Sequence, residues 1–170
     1  MVQSPFNAQS AGILRWPGGE ARCALGRGGV TPAADKREGD GASPLGSWPM
    51  RQVFFRPDRL ERPETALPAD AMIPEAGWCD EPASPLYNRP VILPFAASHE
   101  QLWREDHIYD LIVVLGYNDD PPLPGRGSAI FLHLAREDYS PTEGCIACAL
   151  PDLLALLRVA QPGDALEIVK

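Results

Sequence analysis

Residues 109–116, Tyr109-Asp110-Leu111-Ile112-Val113-Val114-Leu115-Gly116, form an almost continuous apolar run, β-branched in its middle and stopped by a glycine. A run of this kind predicts a strand buried on both faces near the centre of a sheet. The stretch 127–134, ending in Phe131-Leu132-His133-Leu134, repeats the pattern. Shorter signals lie around these two. Ile13–Trp16 and Arg22–Leu25 bracket Pro17-Gly18-Gly19 and predict a hairpin. Gln52–Arg56 reads as a further strand, and Ala165–Val169 closes the chain as another. Only 150–159 has helical spacing, with Pro151 at its first position and Asp152 in its first turn. About seven strands against one helix predict a mainly β domain.

A chain of 170 residues fits one domain with a sizeable core. Its 19 prolines and 15 glycines cut helices short and favour strands and turns. Lys36–Gly46 is polar and glycine-rich and reads as a loop. From Pro57 to Pro94 proline recurs every few residues, so the region 57–105 predicts a long irregular covering loop, with a single helical turn near Glu100–Arg104. Trp78, Tyr87 and Phe95 provide aromatic surface to bury, which favours a functional loop over a linker. Residues 1–12 read as disordered or loosely attached, and 13–170 as one domain. The formal charge of −8 argues against a nucleic-acid partner, which needs a basic face. No run of about 18 apolar residues predicts a transmembrane helix. Met1–Ser10 shows neither the basic nor the apolar part of a secretory signal. Oligomeric state leaves no mark in the sequence.

Chemistry concentrates at His133 and at Gly144-Cys145-Ile146-Ala147. A thiol near an imidazole is a nucleophile with its general base, and the helix start predicted at Cys145 would activate it further. The amides of Glu143, Gly144 and Cys145 are candidates for an oxyanion hole. Against this, Cys145 sits among Ile146, Ala147 and Ala149, as a small buried hydrophobe would. A lone histidine ending an apolar strand is often a core residue. Both readings stay open on these residues alone. His99 and His107 lie in a charged segment and read as solvated. Cys145-Ile146-Ala147-Cys148 is a C-x-x-C, but a redox site needs a thioredoxin-like context and zinc needs a second ligand pair. Neither is present, so no metal or cofactor is expected. Cys148 reads as facing the core one turn along, and a Cys23–Cys79 bridge is possible in an oxidising compartment.

At these positions the chain resembles the L,D-transpeptidase catalytic domain, the YkuD fold, over about 13–170. That family carries a histidine on a strand and, later, Ser/Thr-His-Gly-Cys-hydrophobic-Asn/Arg. His133 matches the first histidine; Thr142, Gly144, Cys145 and Ile146 match the second block. Glu38–Gly46 resembles the family's glycine-rich segment with its Ser/Thr-Pro-x-Gly turn. Glu143 replaces the motif's second histidine, Ala147 replaces its arginine or asparagine, and the His133–Cys145 interval is shorter than usual. The segment from Trp78-Cys79-Asp80 to Tyr87-Asn88 looks like that of a divergent proteobacterial subgroup.

The resemblance implies a YkuD-like β-sandwich or barrel, with one C-terminal helix after the catalytic cysteine. It implies Cys145 as nucleophile and His133 as general base, with the Leu134 carbonyl orienting the imidazole and the Glu143 and Gly144 amides in the oxyanion hole. Trp78, Asp80, Tyr87, Asn88, Tyr117 and Asn118 are the expected substrate contacts. Donor and acceptor would be peptidoglycan stem peptides joined through a thioester, with non-standard links from L-Ala to diaminopimelate (1–3 type) among the products. Stem hydrolysis on the same site, as a carboxypeptidase or endopeptidase, and a non-catalytic wall-binding domain are the alternatives. A periplasmic or wall-associated location follows from the resemblance alone, and a cytoplasmic one is the alternative, since no signal is visible at Met1–Ser10.

Overall fold

The computed structural model describes Val2–Gln3 and residues 10–170. The expected loose end at 1–12 falls mostly on residues outside these. Val2–Gln3 (β1) nevertheless pair with Ile13–Leu14 and with Ile168–Val169.

The further elements are β2 (Ala11–Trp16), β3 (Gly19–Ala24), β4 (Val30–Pro32), β5 (Ser43–Phe55), β6 (Ala69–Ala71), β7 (Ala76–Cys79), β8 (Pro90–Ile92), β9 (His99–Gln101), β10 (Leu111–Leu115), β11 (Phe131–Leu134), β12 (Ile146–Cys148), α1 (Leu150–Val159) and β13 (Ala165–Val169). Ten strands share one sheet, in the order β10-β11-β12-β3-β2-β1-β13-β5-β4, with β6 on β5. Because β5 also pairs with β10, the sheet closes on itself, leaving only β4 and β6 off the ring of eight. Closure is possible because β5 is 13 residues long. Its middle pairs with β13 and its C-terminal half with β10. Trp16 opposes Gly19 across a Pro17-Gly18 turn, where Gly18 has φ +90°, so proline sets the first turn angle and glycine takes the positive one. In α1, Leu153, Leu156 and Leu157 are buried, the i, i+3, i+4 stripe that seats a helix on a core.

Each residue of β10 and β11 is buried, as the unbroken apolar runs predict. Their side chains alternate between two separate cores. Leu111, Val113, Leu115, Leu132 and Leu134 fill the ring interior with Val53, Ile146 and the α1 leucines. Ile112, Val114, Phe131 and Cys145 face outward and are covered by Met72, Trp78, Leu102 and Tyr109.

That cover differs from the irregular loop expected at 57–105. It contains β6 on the ring and a separate three-stranded antiparallel sheet, β8-β7-β9. No helical turn forms at Glu100–Arg104, where β9 ends at Gln101. The prolines are accommodated because the strands are only three or four residues long and Pro90 begins the edge strand β8, where a missing N–H costs little. Arg56 pins the cover at its root. Its guanidinium lies 3.6 Å over the Trp103 ring, donates to Asp58 (2.8 Å) and reaches the Arg104 carbonyl (2.7 Å).

Three further expectations change. Of the predicted loop Lys36–Gly46, residues 43–46 belong to β5. Of the predicted strand 127–134, only Phe131–Leu134 is extended, because Ala129 takes φ +52°. Cys145 does not begin a helix: it leads into β12, a three-residue strand parallel to β11, and the helix starts at Leu150. Helix-dipole activation of the thiol is therefore absent.

Leu132→Ala, at a fully buried site between β10 and β12, should cost about 2–5 kcal/mol in urea unfolding. Ile92→Ala, at a position 63% exposed, should stay within about 0.5 kcal/mol.

Candidate active site

Parallel pairing of β11 and β12 sets Leu132 opposite Ile146 and His133 opposite Ala147. Side chains alternate along a strand, so Phe131, His133, Cys145 and Ala147 share the outward face. Adjacent strands lie about 4.8 Å apart and rise about 3.3 Å per residue, which leaves His133 and Cys145 as diagonal neighbours. Both line a cavity of about 680 Å³ between the ring and its cover.

The turn before β12 is held from several sides. Gly144 has φ +130°, and a Cβ there would lie 2.9 Å from the Ala42 carbonyl oxygen, so the position requires glycine. Thr142 Oγ1 donates to the Cys145 carbonyl (2.6 Å) and accepts from the Gly144 N–H (3.2 Å). Ser43 Oγ donates to the same carbonyl at 3.3 Å and accepts from Gly26 N–H at 2.9 Å. The Gly144 amide, expected to face an oxyanion, is thus engaged by Thr142 in this state. Glu143 points to the rim, where its carboxylate accepts from Arg27 Nε at 2.7 Å with its side chain 77% exposed.

The thiol itself is neutral. Cys145 Sγ donates to the Ala129 carbonyl (3.1 Å) and accepts from Phe131 N–H (3.3 Å). Burial pushes its pKa up to about 12, and the negative charge of Glu100 adds to this, against the Phe131 N–H. His133 Nδ1 lies 2.9 Å from the Leu134 carbonyl, which can only accept. The ring proton is therefore on Nδ1, and Nε2 carries the lone pair. Burial lowers this imidazole to about 4, although the Leu134 carbonyl pulls it back up. At neutral pH the site holds a thiol and a neutral imidazole, not a preformed ion pair.

Two neighbours escaped the sequence reading. The edge of the Tyr109 ring meets the His133 ring at 5.0 Å, and its hydroxyl donates to Glu100 at 2.6 Å. Burial raises both of these acidic groups. Lys36, Glu38, Arg104 and Arg136 also line the cavity, so its walls carry both signs of charge. Their only trace in the sequence is a charge in a loop, which marks a solvated surface equally well.

Of the six expected substrate contacts, only Asp80 lines this cavity, and its Oδ1 is buried without a hydrogen-bond partner. The other five do not line it. The Asn88 amide is saturated. Its Oδ1 accepts from Trp78 Nε1 (2.9 Å) and Ala129 N–H (3.0 Å), and its Nδ2 donates to the carbonyls of Tyr117 (3.0 Å) and Asn118 (2.8 Å). Trp78 is buried edge-on against Phe131. The Tyr87 hydroxyl donates to Glu38 and accepts from Gly127 N–H. Tyr117 packs edge-on against Trp48 at 4.9 Å in the ring interior, away from the thiol. Asn118 ties its own loop through Leu123 and Gly127. Asn88 matters most among them, since it holds Ala129, whose carbonyl receives the thiol proton. Three of its four partners are backbone groups about 30 to 40 residues away, which no local pattern announces.

Cys148 lies on a strand with its side chain in the interior, not one helical turn along. Cys79 lies in the covering sheet and is a free thiol, as are the other three cysteines. Among the described residues no group of three or more His, Cys, Asp or Glu side chains is placed to hold a metal. No described helix is long and apolar enough to cross a membrane.

Two measurements follow from this geometry. The iodoacetamide alkylation rate of Cys145 should keep rising about tenfold per pH unit to pH 10, where an ordinary thiol near 8.5 would level off. Asn88→Ala strands the Trp78 and Ala129 N–H groups and should cost about 2–6 kcal/mol in denaturant unfolding, at about 1–3 kcal/mol for each orphaned donor. A raised KM with unchanged stability would instead make Asn88 a substrate contact.

The family model of YkuD, the L,D-transpeptidase catalytic domain, matches residues 8–168, and the chain belongs to this family. Neither a curated protein nor a solved structure gives a significant match.

Proposed function

Taking membership of the L,D-transpeptidase family as the starting point, we propose that this domain is a cysteine acyltransferase that crosslinks or remodels peptidoglycan stem peptides. One observation carries the reading. Cys145 and His133 stand on one face of two adjacent strands at the floor of one cavity, and the His133 Nδ1 proton is tied to Leu134, which leaves Nε2 basic.

The thiol leaves the Ala129 carbonyl and passes its proton to His133 Nε2 as Sγ attacks a stem-peptide carbonyl. The oxyanion of the tetrahedral intermediate is met by amides of the 143–145 turn, once substrate competes with Thr142 for the Gly144 N–H. The C–N bond breaks, the leaving amine takes the proton from His133, and a thioester remains. An amine of a second stem, itself losing a proton to His133, then attacks. The new amide forms, and the proton returns to the departing sulfur. Because the ground state is neutral, charge appears only as the thiol is engaged. This limits stray reaction of a buried nucleophile.

The two-signed cavity suits a zwitterionic stem. Asp80 Oδ1 lacks a partner and would accept from an ammonium, while Arg104 and Arg136, both paired with Asp106, would have to share their guanidinium groups with a substrate carboxylate. Loss of the family's usual residues at Glu143 and Ala147 points to a non-standard donor, and 1–3 links from L-Ala to diaminopimelate are the product proposed. Action on the wall places the domain in the periplasm or at the wall. Water in place of the second stem would make the same site a carboxypeptidase or endopeptidase.

Incubation with disaccharide-tripeptide and disaccharide-tetrapeptide should give crosslinked dimers by mass spectrometry. Shortened monomers would indicate hydrolysis, and unchanged substrate would indicate a binding domain. Cys145→Ala should abolish turnover while keeping the thermal transition, and full activity in that variant would refute the mechanism. A carbapenem should add its mass to Cys145 and not to the alanine variant. The acid limb of kcat/KM should fall near pH 4, where His133 protonates, and not near the ordinary imidazole value of about 6.5.

A further inference from the structure

Cys23 and Cys148 are direct register partners across the antiparallel pair β3–β12. The direction of their backbone groups defines the kind of pair. The Cys148 carbonyl accepts from Ala135 N–H at 2.8 Å, so its polar groups face β11, away from β3. On β3, Leu25 N–H donates to Ser10 at 2.8 Å, toward β2. Cys23, two residues earlier and opposite Gly12, turns its groups the same way. The two cysteines therefore form a non-hydrogen-bonded pair, whose Cα atoms stand about 4.5 Å apart in such ladders. That lies at the near end of the roughly 4.4–6.8 Å that a disulfide spans. Both are 0% exposed, and both side chains belong to the ring-interior core. Cys145 faces the opposite side of β12, and Cys79 lies in the other sheet, so neither competes for the partnership.

We propose that Cys23 and Cys148 are a disulfide-forming pair, closed during folding by exchange with a disulfide oxidant. One thiolate attacks the oxidant's S–S bond, giving a mixed disulfide and one reduced thiol. The second thiolate then attacks the protein sulfur of that mixed disulfide and releases the second reduced thiol, so two cysteines are oxidised and one oxidant disulfide is reduced. The exchange precedes core closure, since burial afterwards removes access and drives both thiols to higher pKa. The bond fastens the β2–β3 hairpin to the strand that carries the nucleophile.

The full chain, reduced and unfolded, would be refolded with oxidised and reduced glutathione, alkylated in denaturant and weighed. The pair predicts two alkyl groups, four after reduction, and a peptide map joining Cys23 to Cys148. Four alkyl groups without reduction, or a link between any other two cysteines, overturns it. Reduction should lower Tm by about 10 °C, given the long loop closed. Cys23→Ala should take three alkyl groups and lose that reductant-dependent drop; persistence of the drop overturns the assignment. Should that variant fail to fold, the wild-type peptide map decides alone.

Discussion

Strands β10 and β11 are dry on both faces, and the rest of the molecule follows from that condition. A strand of a closed ring normally buries its inner side and leaves its outer side to water. Here the outer side carries Ile112, Val114 and Phe131 along with His133 and Cys145, so it needs its own cover. The cover buries the apolar side chains and, with them, most of the surface of His133 and Cys145. The same burial that stabilises Phe131 therefore keeps the thiol protonated and the imidazole neutral.

The cover also sets geometry. Asn88 joins the covering segment to the bend at Ala129, an alanine with φ +52° that the surrounding hydrogen bonds must stabilise. Through that bend the cover determines where the Ala129 carbonyl points, and the carbonyl determines where the thiol proton rests. Trp78, Tyr87 and Asn88, expected at the substrate, are engaged in hydrogen bonds that hold the backbone around Ala129 and Gly127.

The central strands, the Pro17-Gly18 hairpin and α1 were legible because local pattern and tertiary burial agree there. Two-sided burial writes an unbroken apolar run, a turn writes its glycine, and a seated helix writes leucines at three- and four-residue spacing. His133 and Cys145 were visible as chemistry, yet Cys145-Ile146-Ala147-Cys148-Ala149-Leu150 fits a helix start as well as a strand, and only pairing with β11 and β3 decides between them. Strands β6 to β9 left little trace, since three- and four-residue segments inside a proline-rich region are extended by distant partners and not by propensity. Tyr109 read as one more apolar residue of a strand, with nothing to tell that its hydroxyl meets Glu100.

The parallel pairing of β11 with β12 has a bearing on how spacing is measured in such domains. Parallel neighbours cannot be joined by a tight turn, so the chain must leave the end of β11 and travel back before β12 begins. That return runs through 135–145, and fully extended it would reach far beyond the roughly 13 Å it must retrace. The link therefore has slack, and its length is free to drift while strand register keeps the two reactive groups where they are. Added residues would bulge outward at the cavity mouth, whereas deep deletions would pull Gly144 from its seat against Ala42. The count of residues between histidine and cysteine is in this sense a property of the return path, and a poor ruler for the distance across the site.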